Sequence, residues 1–156
     1  MNAEPRHGND AGFEFPRRLI VAISSSAIDP LDGTGTPQAL KEHAAATAQA
    51  MLPLLLLDNQ LVITHGNGPQ VGNLLLLNET SDGSVPLMPL DVLVAQTGGS
   101  LGYFMQQAML NELRRRQIRR YVVTVITQVL VDPQDEAFQK PSNPVGPFLS
   151  QEEAER

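Results

Sequence analysis

The stretch Leu61-Val62-Ile63-Thr64-His65-Gly66-Asn67-Gly68-Pro69-Gln70-Val71-Gly72 decides how the rest of the chain is read. A β-branched apolar run breaks into Gly-Asn-Gly, and Pro69 then opens a segment with Val71, Leu74 and Leu75 at helical spacing. The pattern predicts strand, glycine loop, helix. Proline suits a helix's first turn, where its missing N–H has no intrahelical acceptor in any case. Glycines ahead of a helix let backbone N–H groups approach an anion, and the helix dipole adds positive charge at the same end. Gly66, Asn67 and Gly68 are therefore candidate phosphate or carboxylate ligands. Two glycines also serve a bare tight turn, and neither the third glycine of a dinucleotide fingerprint nor the Lys-Ser/Thr ending of a P-loop is present.

The 156 residues suffice for one domain with a substantial core. At 42% hydrophobic and 18% charged the composition is that of a globular protein, and with 4% aromatics and no Trp the core must be aliphatic. A net charge of −6 argues against a nucleic-acid partner. The absence of Cys excludes disulfides and thiolate metal sites. His7, His43 and His65 are far apart, and no His/carboxylate spacing suggests a metal site. No apolar run reaches bilayer length, so the expectation is a cytoplasmic protein without membrane attachment.

Residues 1–18 are polar and lack the apolar region of a secretory signal, which predicts a flexible leader. Leu19-Ile20-Val21-Ala22-Ile23 reads as a strand buried in a parallel sheet, followed at once by Ser24-Ser25-Ser26. Leu40, Ala44, Ala48, Met51, Leu52 and Leu55 then fall on one helical stripe, which Pro53 should kink or interrupt. Beyond the glycine loop and its helix, residues 78–89 form a polar connection. Pro89 and Asp91 open another helix that Gly98-Gly99 should break, and a further helix, with Ser100 as N-cap, should run from Ser100 to about Arg116. The arginines at its end, Arg114, Arg115, Arg116, Arg119 and Arg120, complement the helix dipole and read as a solvated face.

Residues 121–131 form a long β-branched run without alternation, as expected of a central buried strand. Strands separated by helices imply a parallel sheet, whose ligands sit beyond the strands' carboxyl ends. Three such ends, at residues 24–26, 65–68 and 128–132, should face one crevice. Residues 133–147 are rich in Pro, Gly, Asn and Gln, and Ser150-Gln151-Glu152-Glu153 has the form of a capping box opening a helix. A helix begun so near Arg156 suggests a truncated domain. The expected organisation is a leader over 1–18, a lobe over 19–132, and the start of a protruding subdomain over 133–156.

At this point the chain resembles the N-terminal half of carbamate kinase, a member of the amino-acid-kinase family. The resemblance is carried by residues 61–72, Met88-Pro89-Leu90-Asp91, Gly102-Tyr103, Val125-Ile126-Thr127-Gln128-Val129-Leu130-Val131-Asp132 and Asn143-Pro144-Val145-Gly146-Pro147-Phe148. It implies an incomplete three-layer α/β/α sandwich with a mainly parallel sheet. It also implies reversible phosphoryl transfer between ATP and carbamate, with carbamoyl phosphate and ADP yielding ATP in arginine catabolism. ATP or ADP with Mg²⁺ as cofactors and a cytoplasmic homodimer are further implications. Two departures stand out. Ser24, Ser25 and Ser26 occupy the family's Gly-Gly-Asn positions, and Asn143 occupies that of its catalytic lysine. Serine hydroxyls can hydrogen-bond an oxyanion. A Cβ where the backbone needs positive φ would cost about 1–2 kcal/mol. Neutral Asn143 cannot supply a lysine's charge, though nearby Lys140 is a substitute if the loop shifts. Gly98 stands where the family usually has Gln. The alternative reading is a catalytically impaired relative or fragment that binds a small anion or a full-length partner. His65 is read as a structural histidine orienting the loop.

Overall fold

The computed structural model describes residues 17–28, 36–57, 59–80, 84–142, 145, 150 and 151. The expected leader over 1–16, Asn143, and all but Ser150 and Gln151 of the capping box lie outside them. Two strands, β1 (Arg18–Ile23) and β2 (Gln60–His65), pair in parallel with Arg18 opposite Gln60 and Ile23 opposite His65. Their connection is α1 (Pro37–Leu56), whose first turn is capped by Thr36 accepting from the Ala39 N–H at 3.2 Å. Then come α2 (Gly68–Glu79) and α3 (Leu90–Arg115).

The two-residue period of the strands sorts their side chains. Val21, Ile23, Leu61 and Ile63 pack inward against Ala44, Ala48, Met51, Leu52 and Leu55 of α1 and Leu101, Met105, Ala108, Met109 and Leu113 of α3. The core is aliphatic, as the composition requires. Ile20 and Val62 point to the opposite face of the sheet and are exposed. The described residues thus supply the sheet and one helical layer of an α/β fold, with the second face of the sheet uncovered among them.

Asn59 ties three pieces together at the entry to β2. Its carboxamide accepts from the Arg17 N–H at 3.3 Å and donates to the Leu54 carbonyl at 2.9 Å, capping the last turn of α1. Its own carbonyl accepts from the Arg120 guanidinium at 2.6 Å.

Four expectations need correction. α1 continues through Pro53 to Leu56, because Met51, Leu52 and Leu55 are held in the core and a proline this near the end costs few hydrogen bonds. α2 continues through Asn78, whose side chain both donates to the Met88 carbonyl and accepts from its N–H, each at 3.0 Å. α3 is continuous through Gly98-Gly99, and the Ser100 hydroxyl bonds back to the Thr97 carbonyl instead of capping a new helix. The cost of helical glycine, roughly 1 kcal/mol each, is offset by what the missing side chains admit, since Ile126 Cδ1 lies 3.7 Å from where a Gly99 Cβ would stand. Finally, residues 121–131 form no strand with a described neighbour: the sheet is two-stranded and the segment runs without backbone pairing.

Candidate functional site

The flush register of β1 and β2 sets the geometry of the site. With Ile23 opposite His65, the chain leaves both strands at the same edge, and Ser24-Ser25 meets Gly66-Asn67-Gly68 there. A Cβ on Gly66 would stand 3.8 Å from the Ser25 backbone nitrogen. Two of the three expected strand ends are therefore brought together. The third, at residues 128–132, belongs to the unpaired segment, and Val129 and Leu130 are exposed.

At the first end, the chain turns into a 3₁₀ helix over Ser25–Ala27, with Ser24 at φ −72° and ψ 161°. Among the described residues the non-glycine at positive φ is Gln117, so these serines occupy ordinary backbone conformations. The strain expected of a Cβ at this corner is absent; what the serines add to it is bulk and hydroxyl groups. The turn is held by the Ala27 and Ile28 N–H groups bonding to the Ser24 and Ser25 carbonyls, by fully buried Ile28, and by the Thr47 hydroxyl donating to the Ala27 carbonyl at 2.6 Å.

At the second end, Asn67 precedes α2 at its N-cap position but makes no side-chain cap. Its carboxamide turns onto α3, where Nδ2 donates to the Val94 carbonyl at 2.9 Å and the Thr97 hydroxyl at 2.8 Å. Thr97 is buried and its hydroxyl passes the interaction on to the Leu93 carbonyl at 2.9 Å. The amide hydrogens expected to reach a ligand are thus occupied in fixing the loop. The chemistry left at the corner is backbone chemistry at the positive end of a 12-residue helix, beside Gly68, where a Cβ would meet nothing within 4 Å. His65 Nδ1 lies 3.3 Å from the Gly66 carbonyl, in keeping with an orienting role.

Lys140 ends the short turn over Glu136–Phe138, its N–H bonded to the Glu136 carbonyl at 2.9 Å, and its side chain is exposed. Among the described residues no group of three or more His, Asp or Glu is placed to hold a metal ion. Sequence reading missed Thr97 and Asn59, both buried polar residues. Thr97 sits four residues after Leu93 on an apolar stripe, and a polar residue there is a signal that its hydroxyl has a partner.

No family model matches the chain. Carbamate kinase 1 of Enterococcus faecium is 42% identical over 139 residues, which is 88% of this chain and 44% of that protein. The carbamate kinase of Pyrococcus horikoshii is 41% identical over 144 residues, 91% of this chain and 46% of that protein. Among solved structures, carbamate kinase from Giardia lamblia bound to citric acid is 34% identical with a TM-score of 0.81, covering 90% of this chain and 45% of that one. The same Giardia enzyme bound to AMP-PNP gives 34%, a TM-score of 0.80, and coverage of 90% and 44%. A parallel α/β unit whose strand ends and helix N-terminus converge on one corner is the class that fold and site define. The chain is a homologue of the N-terminal half of the carbamate kinases and shares their fold over that half. It spans less than half the length of the curated relatives it matches.

Proposed function

We propose that this chain is the part of a carbamate kinase that holds the small substrate, carbamate or carbamoyl phosphate, during phosphoryl transfer to and from ATP. The observation that carries the reading is the meeting of the Ser25 backbone nitrogen with Gly66 at the N-terminus of α2. An oxyanion placed there faces backbone N–H groups from two loops and the positive end of a helix dipole, all fixed before it arrives. Such preorganised donors stabilise charge as it develops and need not reorganise during reaction. In-line transfer between two oxygens depends on positioning and charge and needs no covalent enzyme intermediate. The rest of the machinery, including the groups that bind ATP or ADP, falls to polypeptide beyond this chain. Mg²⁺ would rest there and on the nucleotide's own phosphates. Support for a nucleotide comes from the related Giardia enzyme, solved with AMP-PNP.

A cytoplasmic setting, a homodimeric assembly and a role in arginine catabolism belong to the same reading. No described helix is long and apolar enough to cross a membrane. A second reading, a catalytically impaired relative that retains anion binding, is favoured by the serines at 24–26 and by Asn143.

Two measurements test these readings. Titration of the chain with carbamoyl phosphate, followed by amide chemical shifts, should perturb residues 24, 25 and 66–68 first. Shifts confined to other residues would overturn the assignment of the corner. ATP formation from ADP, Mg²⁺ and carbamoyl phosphate then separates the two readings when the chain is fused to the remainder of the Enterococcus faecium enzyme. Turnover supports the kinase, and anion binding without turnover supports the impaired relative.

A further inference from the structure

The segment over residues 121–131 has the composition of a buried strand and is placed like one, yet it pairs with nothing described. Two contacts fix its direction. The Arg120 guanidinium donates to the Asn59 carbonyl, just before β2 begins, while Ile126 Cδ1 and Asn67 Nδ2 both lie 3.9 Å from where a Gly98 Cβ would stand, just past the end of β2. The segment therefore runs parallel to β2. α3 holds it there: Gln106 donates to the Val122 carbonyl at 2.8 Å, and Thr124 fills the space above Gly102. Val122, Thr124 and Ile126 face α3, and Val123 and Val125 point away and are exposed, 75% and 72%.

Between β2 and this segment lies a cleft of about 1110 Å³, walled by Leu61, Val62 and Ile63 on one side and Val123, Thr124 and Val125 on the other, with Met105 and Met109 of α3 among its lining. β2 bonds to β1 on one edge, and its other edge, toward the cleft, has no backbone partner among the described residues. Two unpaired edges of polar backbone flanking an apolar gap are unfavourable, because buried N–H and C=O groups must find partners. One strand residue in a sheet fills about 160 Å³, from a rise of ~3.3 Å, a strand spacing of ~4.8 Å and a layer of ~10 Å. The cleft has room for about seven such residues.

We propose that this cleft seats a single β-strand, apolar on both faces, that pairs with β2 on one edge and with residues 121–127 on the other. Its source is the polypeptide that carbamate kinases carry beyond the portion matched by this chain, which is more than half of their length. The strand converts a two-stranded sheet with a detached neighbour into a continuous sheet of four strands. It also carries its own carboxyl or amino end to the edge where Ser25 and Gly66 meet, so docking couples completion of the sheet to completion of the corner.

The test fuses this chain to the unmatched remainder of Enterococcus faecium carbamate kinase 1 and compares amide hydrogen exchange with that of the chain alone. Exchange at residues 61–63 and 123–125 should slow on the order of 100-fold in the fusion, as for amides moved from an open edge into a central ladder. Unchanged exchange at either edge in a folded fusion overturns the proposal. Should the fusion not fold, nine-residue peptides tiled across the same remainder are added to the chain. Protection of both edges by one apolar peptide supports the proposal, and protection by none overturns it. Protection that rises with the concentration of the chain alone also overturns it, assigning the cleft to a second copy.

Discussion

The Asn67 carboxamide donates to the Thr97 hydroxyl at 2.8 Å, joining the loop at the end of β2 to the buried face of α3 across 30 residues of sequence. This bond explains why an asparagine at an N-cap position makes no cap: its amide hydrogens are committed elsewhere, and the helix N-terminus stays open to an anion. Asn67 is thereby a positioning residue. Replacing Thr97 with Val keeps the volume but removes the acceptor, and should cost about 1–2 kcal/mol, the usual result of leaving one buried group without its hydrogen bond. Because the corner depends on this anchor, Thr97→Val should also weaken phosphate binding. Urea unfolding and a phosphate titration of the same variant check both, and a double-mutant cycle with Asn67→Ala should show coupling of about 1 kcal/mol.

Much of this architecture is legible in the residues themselves, and the exceptions share a cause. The two strands, the glycine loop and the helical stripe of α1 rest on local periodicity, so they appear where the pattern places them. Continuity of α3 does not: Gly98-Gly99 reads as a break until Thr124 and Ile126, more than 20 residues later, are seen to press against that side of the helix. The direction of the Asn67 side chain is likewise settled by Val94 and Thr97, not by its neighbours in sequence. Residues 121–131 are the opposite case. Their β-branched composition correctly encodes an extended backbone running parallel to β2, but ladder hydrogen bonds need neighbours, and none is supplied by the described residues.

The glycines of α3 differ in what they permit. At Gly102 a Cβ would collide with the Thr124 Cγ2 and stand 3.2 Å from its Cβ, so side-chain rotation alone does not clear it. Gly102→Ala should therefore loosen residues 121–127 from α3, seen as faster proteolysis within that segment. At Gly98 the nearest atoms are 3.9 Å away, an ordinary contact distance. Gly98→Ala should raise stability by about 0.5–1 kcal/mol, since alanine restricts the unfolded chain and suits a helix interior. Thermal melts of the pair should move in opposite directions.

The turn that delivers the chain from α3 to this segment carries its own strain. Gln117 sits at φ 58°, the Gln117 N–H bonds to the Arg114 carbonyl at 3.0 Å, and the Ile118 N–H bonds to the Leu113 carbonyl at 2.9 Å. That pattern is a Schellman motif, with Gln in the left-handed position that glycine usually fills. A left-handed backbone costs a residue with a Cβ about 1–2 kcal/mol. Part of this returns on Gln117→Gly, after the extra entropy glycine brings to the unfolded chain. The expected gain is about 0.5–1 kcal/mol, read from the urea midpoint at unchanged slope.

The serine corner yields the prediction closest to function. Ser24 and the 3₁₀ turn over Ser25–Ala27 hold ordinary backbone angles, so exchanging the serines for the glycine-rich pattern of related enzymes relieves no strain. What changes is access. The Ser25 backbone nitrogen lies beside Gly66, and a Cβ at residue 25 limits how closely an oxyanion approaches the N–H groups of both loops. Ser25→Gly should therefore tighten phosphate binding severalfold while lowering stability by about 0.5–1 kcal/mol through glycine's entropy. Tighter binding with lower stability would separate the corner's two tasks, holding the backbone turn and presenting its N–H groups. Weaker binding would instead mean that the Ser25 hydroxyl is itself a ligand for the anion, and Ser25→Ala, which keeps the Cβ and removes the oxygen, would then weaken binding by the same factor.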